Sequence, residues 1–68
     1  MNPAHERVLA YFEYSHLPMG LQDISKPIGE LAHELADKLE SSNDPAEVTV
    51  GLRKLLEAKD CFVRAVLR

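Results

Sequence analysis

Residues 44–67 read DPAEVTVGLRKLLEAKDCFVRAVL, and this stretch decides the fold. Asp44 is a helix N-cap, Pro45 takes the first helical position where a missing N–H costs nothing, and Glu47 stands at the capping-box position. Beyond that start, two overlapping stripes at three- and four-residue spacing follow the segment: Val48, Leu52, Leu55, Phe62, Val66 and Thr49, Leu52, Leu56, Val63, Val66. The pattern predicts a helix over 45–67, about 35 Å long at about 1.5 Å per residue. A compact chain of this size is only about 28 Å across, with a radius of gyration near 11 Å by the usual scaling. The helix outruns its own monomer and carries more apolar surface than short neighbours can cover, which predicts a helical oligomer built on it.

Two further helices precede it. Asn2 caps a first helix over 3–14, with Pro3 at its first position and Val8, Leu9 and Phe12 on one face; Tyr11 lies beside that stripe. Pro18 and Gly20 break the pattern. Leu21–Ile24 then reads as a short turn, because a helix begun at Gly20 would place Pro27 in its interior. Ser25 becomes the N-cap of a second helix over 26–41, with Lys26 and Pro27 in its first turn and Ile28, Leu31, Leu35 and Leu39 as its buried stripe. Residues 1–68 form one all-α domain, a short three-helix chain with a long C-terminal helix.

Composition narrows the function. The chain is 46% hydrophobic, with one cysteine, Cys61, which excludes an internal disulfide framework. At 68 residues a single core is marginal, and assembly is the remaining way to stabilise it. The start Met-Asn-Pro-Ala-His-Glu has no signal-peptide pattern and no run is long enough to span a membrane, so the protein reads as soluble and cytoplasmic. Eight Lys and Arg against eleven Asp and Glu give a net charge of −3, which argues against binding DNA through its phosphates. A local basic pocket for a small anion is still compatible with that balance. His5, His16, His33 and Cys61 lack metal-ligand spacing, and no nucleophile or acid–base pair stands out, so neither a cofactor nor an enzyme is expected.

Several residues admit two readings. Ser25-Lys26-Pro27 would gather a hydroxyl, an ammonium and free amides at a helix start, which suits an anion, or it is a plain cap beside a solvated lysine. Tyr11 is half-buried packing or a platform for a nucleobase. Lys59 interrupts both stripes of the third helix, either as a snorkelling or register residue or as a phosphate contact in an oligomeric cavity. Arg53 and Lys54 beside Thr49 form a donor cluster for phosphate, or a solvated face in which Arg53–Glu57 and Asp60–Arg64 pair one turn apart.

The runs His16-Leu17-Pro18, Leu21-Gln22, Ser25-Lys26-Pro27, Leu31-Ala32 and Thr49 to Asp60 resemble the small phage-encoded helical proteins that include the anti-CBASS cyclic-oligonucleotide sponges. The resemblance covers about Tyr11 to Ala65. It implies a homohexamer, in the cytoplasm of the infected cell, that sequesters cyclic di- and trinucleotide messengers of antiphage signalling without cleaving them. It places base stacking on Tyr11 and a phosphate contact on Lys26, ahead of the second helix. A separate trinucleotide pocket is implied around Thr49, Arg53, Lys54 or Lys59. Gly51 departs from the alanine expected there, which would loosen the helix by about 1 kcal/mol or let a neighbour approach closely. Without a nucleotide ligand, the same residues read as a structural or protein–protein module.

Overall fold

The computed structural model describes residues 2–67. Three α-helices and one 3-10 turn make up the chain, with no strand among the described residues: α1 (Pro3–Leu9), the 3-10 turn (Ala10–Phe12), α2 (Met19–Lys38) and α3 (Pro45–Val66). No helix among them is long and apolar enough to cross a membrane. The two proline-led starts form as the sequence predicts. Asn2 Oδ1 accepts from the Ala4 N–H at 2.8 Å, and Asp44 Oδ1 accepts from the Glu47 N–H at 3.1 Å. Each cap satisfies an amide that the first turn leaves without a helical partner.

The first helix is shorter than the predicted 3–14. It tightens into the 3-10 turn and stops at Phe12, because Glu13 folds its carboxylate back onto the Tyr14 and Ser15 amides, both at 2.9 Å. α2 differs more. It starts at Met19 rather than at 26, ends at Lys38 rather than 41, and absorbs the expected turn at 21–24, so Pro27 lies inside it. Pro18, which has fixed φ and needs no N–H, starts the helix without a side-chain cap, and its carbonyl accepts from both Leu21 and Gln22. Ser25 is therefore a mid-helix residue and not an N-cap.

The buried face of α2 is also not the expected one. Ser25, Gly29, Ala32 and Ala36 face inward, while Leu31, Leu35 and Leu39 remain exposed over about two fifths of their surface and Ile28 is half-buried. Volume explains this. A Cβ on Gly29 would lie 3.1 Å from the Phe12 carbonyl oxygen, so the end of the 3-10 turn crosses α2 where only a side chain of minimal size fits. The core consists of Val8, Leu9 and Phe12 against Ala32, Ala36, Val48 and Leu52, with Ile28, Leu55 and Leu56 at its margin. His5 is buried beside it, and its Nε2–H donates to the Pro45 carbonyl at 3.1 Å, tying the first helix to the start of the third across forty residues of chain.

This core occupies one end of an elongated body. The extents are 40 × 18 × 16 Å and the radius of gyration is 12.3 Å, above the ~11 Å of a compact chain. At the other end α3 runs on with Phe62, Val66 and Leu67 exposed.

Candidate functional site

Tyr11 sits in the middle of the 3-10 turn, between Ala10 and the buried Phe12, and 63% of it is exposed. Phe12 anchors the turn, which forces its neighbour outward. The backbone behind the ring is held from α3: the Lys59 ammonium donates to the Tyr11 carbonyl at 3.3 Å and pairs with Asp60 Oδ1 at 2.9 Å. The Lys59 side chain is only 12% exposed, so its stem crosses apolar surface while its charged end finds two oxygens. Two residues singled out from the sequence are thus brought together, and the ammonium is spent on a carbonyl at the end of a helical turn, where a cation is favoured.

Lys26 is exposed on α2, one turn before Gly29, where the chain crosses itself at Phe12. Tyr11 directly precedes Phe12 in the turn, and Lys26 precedes Gly29 by three residues in α2. The helix-start anion site expected at Ser25-Lys26-Pro27 does not form, because amides in the interior of α2 bond to carbonyls one turn back. The Ser25 hydroxyl is 1% exposed and has no hydrogen-bond partner. Pro27 instead lines an apolar groove of about 510 Å3 with Asp23, Ile24, Ile28, Phe62, Ala65 and Val66.

The cluster on α3 is looser than expected. Thr49 Oγ1 donates to the Pro45 carbonyl at 3.1 Å, so its proton is occupied. Arg53 and Lys54 are exposed, and neither Arg53–Glu57 nor Asp60–Arg64 closes as an ion pair. Arg64 Nη2 lies 3.3 Å from Cys61 Sγ instead. Lys38 and Glu34 do pair, at 2.8 Å, which lowers the Glu34 carboxyl and raises the Lys38 ammonium from their ordinary values.

One concavity has no counterpart in the sequence reading. An open recess of about 930 Å3 lies between the first turns of the chain and α2, lined by Glu6, Glu13, Tyr14, Glu30 and His33 around the backbone of Phe12 and Gly29. Hydrogen bonds from the Ser15 and Tyr14 amides hold the Glu13 carboxyl below its ordinary value, so it is charged at neutral pH. Three carboxylates make this recess repulsive to phosphate, and neither Tyr11 nor Lys26 lines it. Gly29, followed at helical spacing by Ala32 and Ala36, was the available signal for a close crossing and for the hollow beside it. Comparisons with protein-family models, with curated proteins and with solved structures return no match to this chain.

Proposed function

We propose that this chain is a non-enzymatic sponge: a homo-oligomer, hexameric as in the family it resembles, that sequesters cyclic di- and trinucleotide messengers and so counters CBASS-type antiphage signalling. The observation that carries this reading is Tyr11. An aromatic ring exposed on a turn whose backbone is fastened from both sides, by Phe12 in the core and by Lys59 at its carbonyl, is a rigid platform at low entropic cost. A cyclic dinucleotide offers bases to stack on such a ring and phosphodiesters for an exposed cation, and Lys26 is the cation one turn from the crossing.

A single chain presents no closed pocket there, and its large recess is acidic. The second wall of the site is therefore assigned to another copy. Leu31, Leu35 and Leu39 on α2, with Phe62 and Val66 on α3, supply the exposed apolar surface for that assembly. The same surface favours the alternative, an assembly module without a nucleotide ligand.

Calorimetric titration with 3′,3′-cyclic diguanylate and a cyclic triadenylate, alongside mass measurement in solution, separates the two. The sponge gives saturable heat from an oligomer, and the ligand is recovered unchanged by chromatography. Tyr11→Ala removes roughly 1–3 kcal/mol of dinucleotide binding. Lys26→Ala removes about 1.5–3 kcal/mol, the range for a hydrogen bond to a charged group. Both variants remain oligomeric. An oligomer that gives no heat with either ligand establishes the module, and undiminished binding by both variants removes the site from Tyr11 and Lys26.

A further inference from the structure

We propose that α2 is two rods joined at Pro27, and that the first, residues 19–26 with the loop that leads into it, moves as a unit and carries Lys26 with it. Pro27 has no N–H to give the Asp23 carbonyl, so the helical ladder loses a bond at the junction. The two sides of that junction are held very differently. Beyond it, Gly29 lies under the Phe12 carbonyl, and Ala32 and Ala36 are completely buried. Before it, no apolar residue reaches the core. Leu21 and Ile24 are half-buried, Met19 is largely exposed, and a Cβ on Gly20 would meet nothing within 4 Å.

The one fully buried residue of the first rod is Ser25, and its hydroxyl has no partner there. An unsatisfied buried hydroxyl weakens the contact it sits in, so the inward docking of this rod is the least favourable part of the helix. The rod is instead fastened to its own loop. Gln22 Nε2 donates to the Leu17 carbonyl at 2.6 Å and to the Ser15 carbonyl at 3.4 Å, and the loop itself is closed by Glu13 on the Tyr14 and Ser15 amides. Residues 15–26 therefore form a small body with internal bonds and a weak seat, while the Tyr14 ring stays with the core beside Gly29. An apolar groove lined by Asp23, Ile24 and Pro27 on one wall and Phe62 and Val66 on the other separates this rod from the end of α3.

Movement of this body changes where Lys26 stands relative to Tyr11, which the core holds in place. That consequence rests on the sponge reading; the hinge itself does not. Amide hydrogen exchange on the free protein tests the hinge. Amides 23–26 are expected to exchange at least about tenfold faster than those at 32–36, and Pro27→Ala, by restoring the missing donor, slows amides 23–26 about tenfold while leaving 32–36 unchanged. Simple fraying of a helix end gives exchange that slows steadily from residue 19 inward, whereas a hinge gives amides 23–26 a common rate that drops abruptly beyond Pro27. Gln22→Ala, a milder change outside the core, speeds exchange at residues 15–26 alone. A single exchange rate along α2, or no response of amides 23–26 to Pro27→Ala, overturns the hinge. Saturation with 3′,3′-cyclic diguanylate slows amides 23–26 in the parent if Lys26 is drawn onto phosphate. Binding heat without that slowing refutes the movement of Lys26, whereas absence of heat refutes the sponge reading and leaves the exchange contrast to judge the hinge.

Discussion

At its N-terminal end α3 buries Val48 and Leu52 in the core, whereas at its C-terminal end the same helix leaves Phe62, Val66 and Leu67 largely in water. Apart from Lys59, the apolar pattern runs through both ends, so periodicity does not distinguish them; what differs is the neighbour. α1 and the 3-10 turn reach α3 from its start, where His5 bonds to Pro45, as far as Lys59, whose ammonium donates to the Tyr11 carbonyl, and among the described residues no hydrogen bond of theirs extends to Phe62. Folding uses one half of the helix. The last turns instead face an open groove shared with Ile24, Pro27 and Ile28 of α2, and a second copy is the occupant proposed above for their exposed surface.

The sharpest way to break this comparison is a pair of phenylalanines. Phe12→Ala, in the core, is expected to lower stability by about 3–5 kcal/mol, enough to unfold a domain of this size in a urea titration. Phe62→Asp is expected to leave far-UV circular dichroism unchanged while light scattering reports monomer, since a charge in an apolar interface has no partner. Leu55 is a poorer probe because it also packs on the core. A parent protein that is already monomeric at micromolar concentration, or a Phe62→Asp variant that unfolds, would erase the distinction between the two halves.

Two glycines sharpen it further. Gly29→Ala drives a methyl toward the Phe12 carbonyl and is expected to cost about 1–3 kcal/mol. Gly51→Ala meets nothing within 4 Å and is expected to gain about 1 kcal/mol from helix propensity, read as opposite shifts of the thermal midpoint. Equal shifts would mean that the crossing at Gly29 is not tight.

The smallest effect belongs to Glu13. Its folded carboxyl is held below 4.5, so the folded state releases this proton more readily than the unfolded one. Its contribution is fully present above about pH 4.5 and is lost as pH falls through the folded value. Glu13→Gln is accordingly expected to be slightly less stable than the parent at pH 7 and indistinguishable from it at the acid end of that window. A difference that grows on acidification would contradict the assignment.

Helix starts were legible where the chemistry is local: Asn2-Pro3 and Asp44-Pro45-Ala46-Glu47 cap as their residues dictate. The start of α2 was not, because the rule that proline avoids helix interiors weighs one lost bond, whereas tertiary packing of Gly29, Ala32 and Ala36 weighs the whole element. The inward face of α2 was misread for a related reason. A hydrophobicity pattern favours the largest apolar residues, Leu31, Leu35 and Leu39, but the space left beneath the Phe12 carbonyl admits only small ones. Tyr11 beside its stripe was readable from helical spacing. The contact of its carbonyl with Lys59 was not, since it spans forty-eight positions of chain and depends on how two helices cross.

That small-residue seam on α2 also bears on how such a protein can change over generations. Because glycine and alanine carry the folding contact, the outward leucines are released from it. Substitutions at Leu31, Leu35 and Leu39 can alter the apolar surface on which the proposed assembly would act, while the fold beneath stays the same. Outer surface and fold are inherited through different letters of one helix.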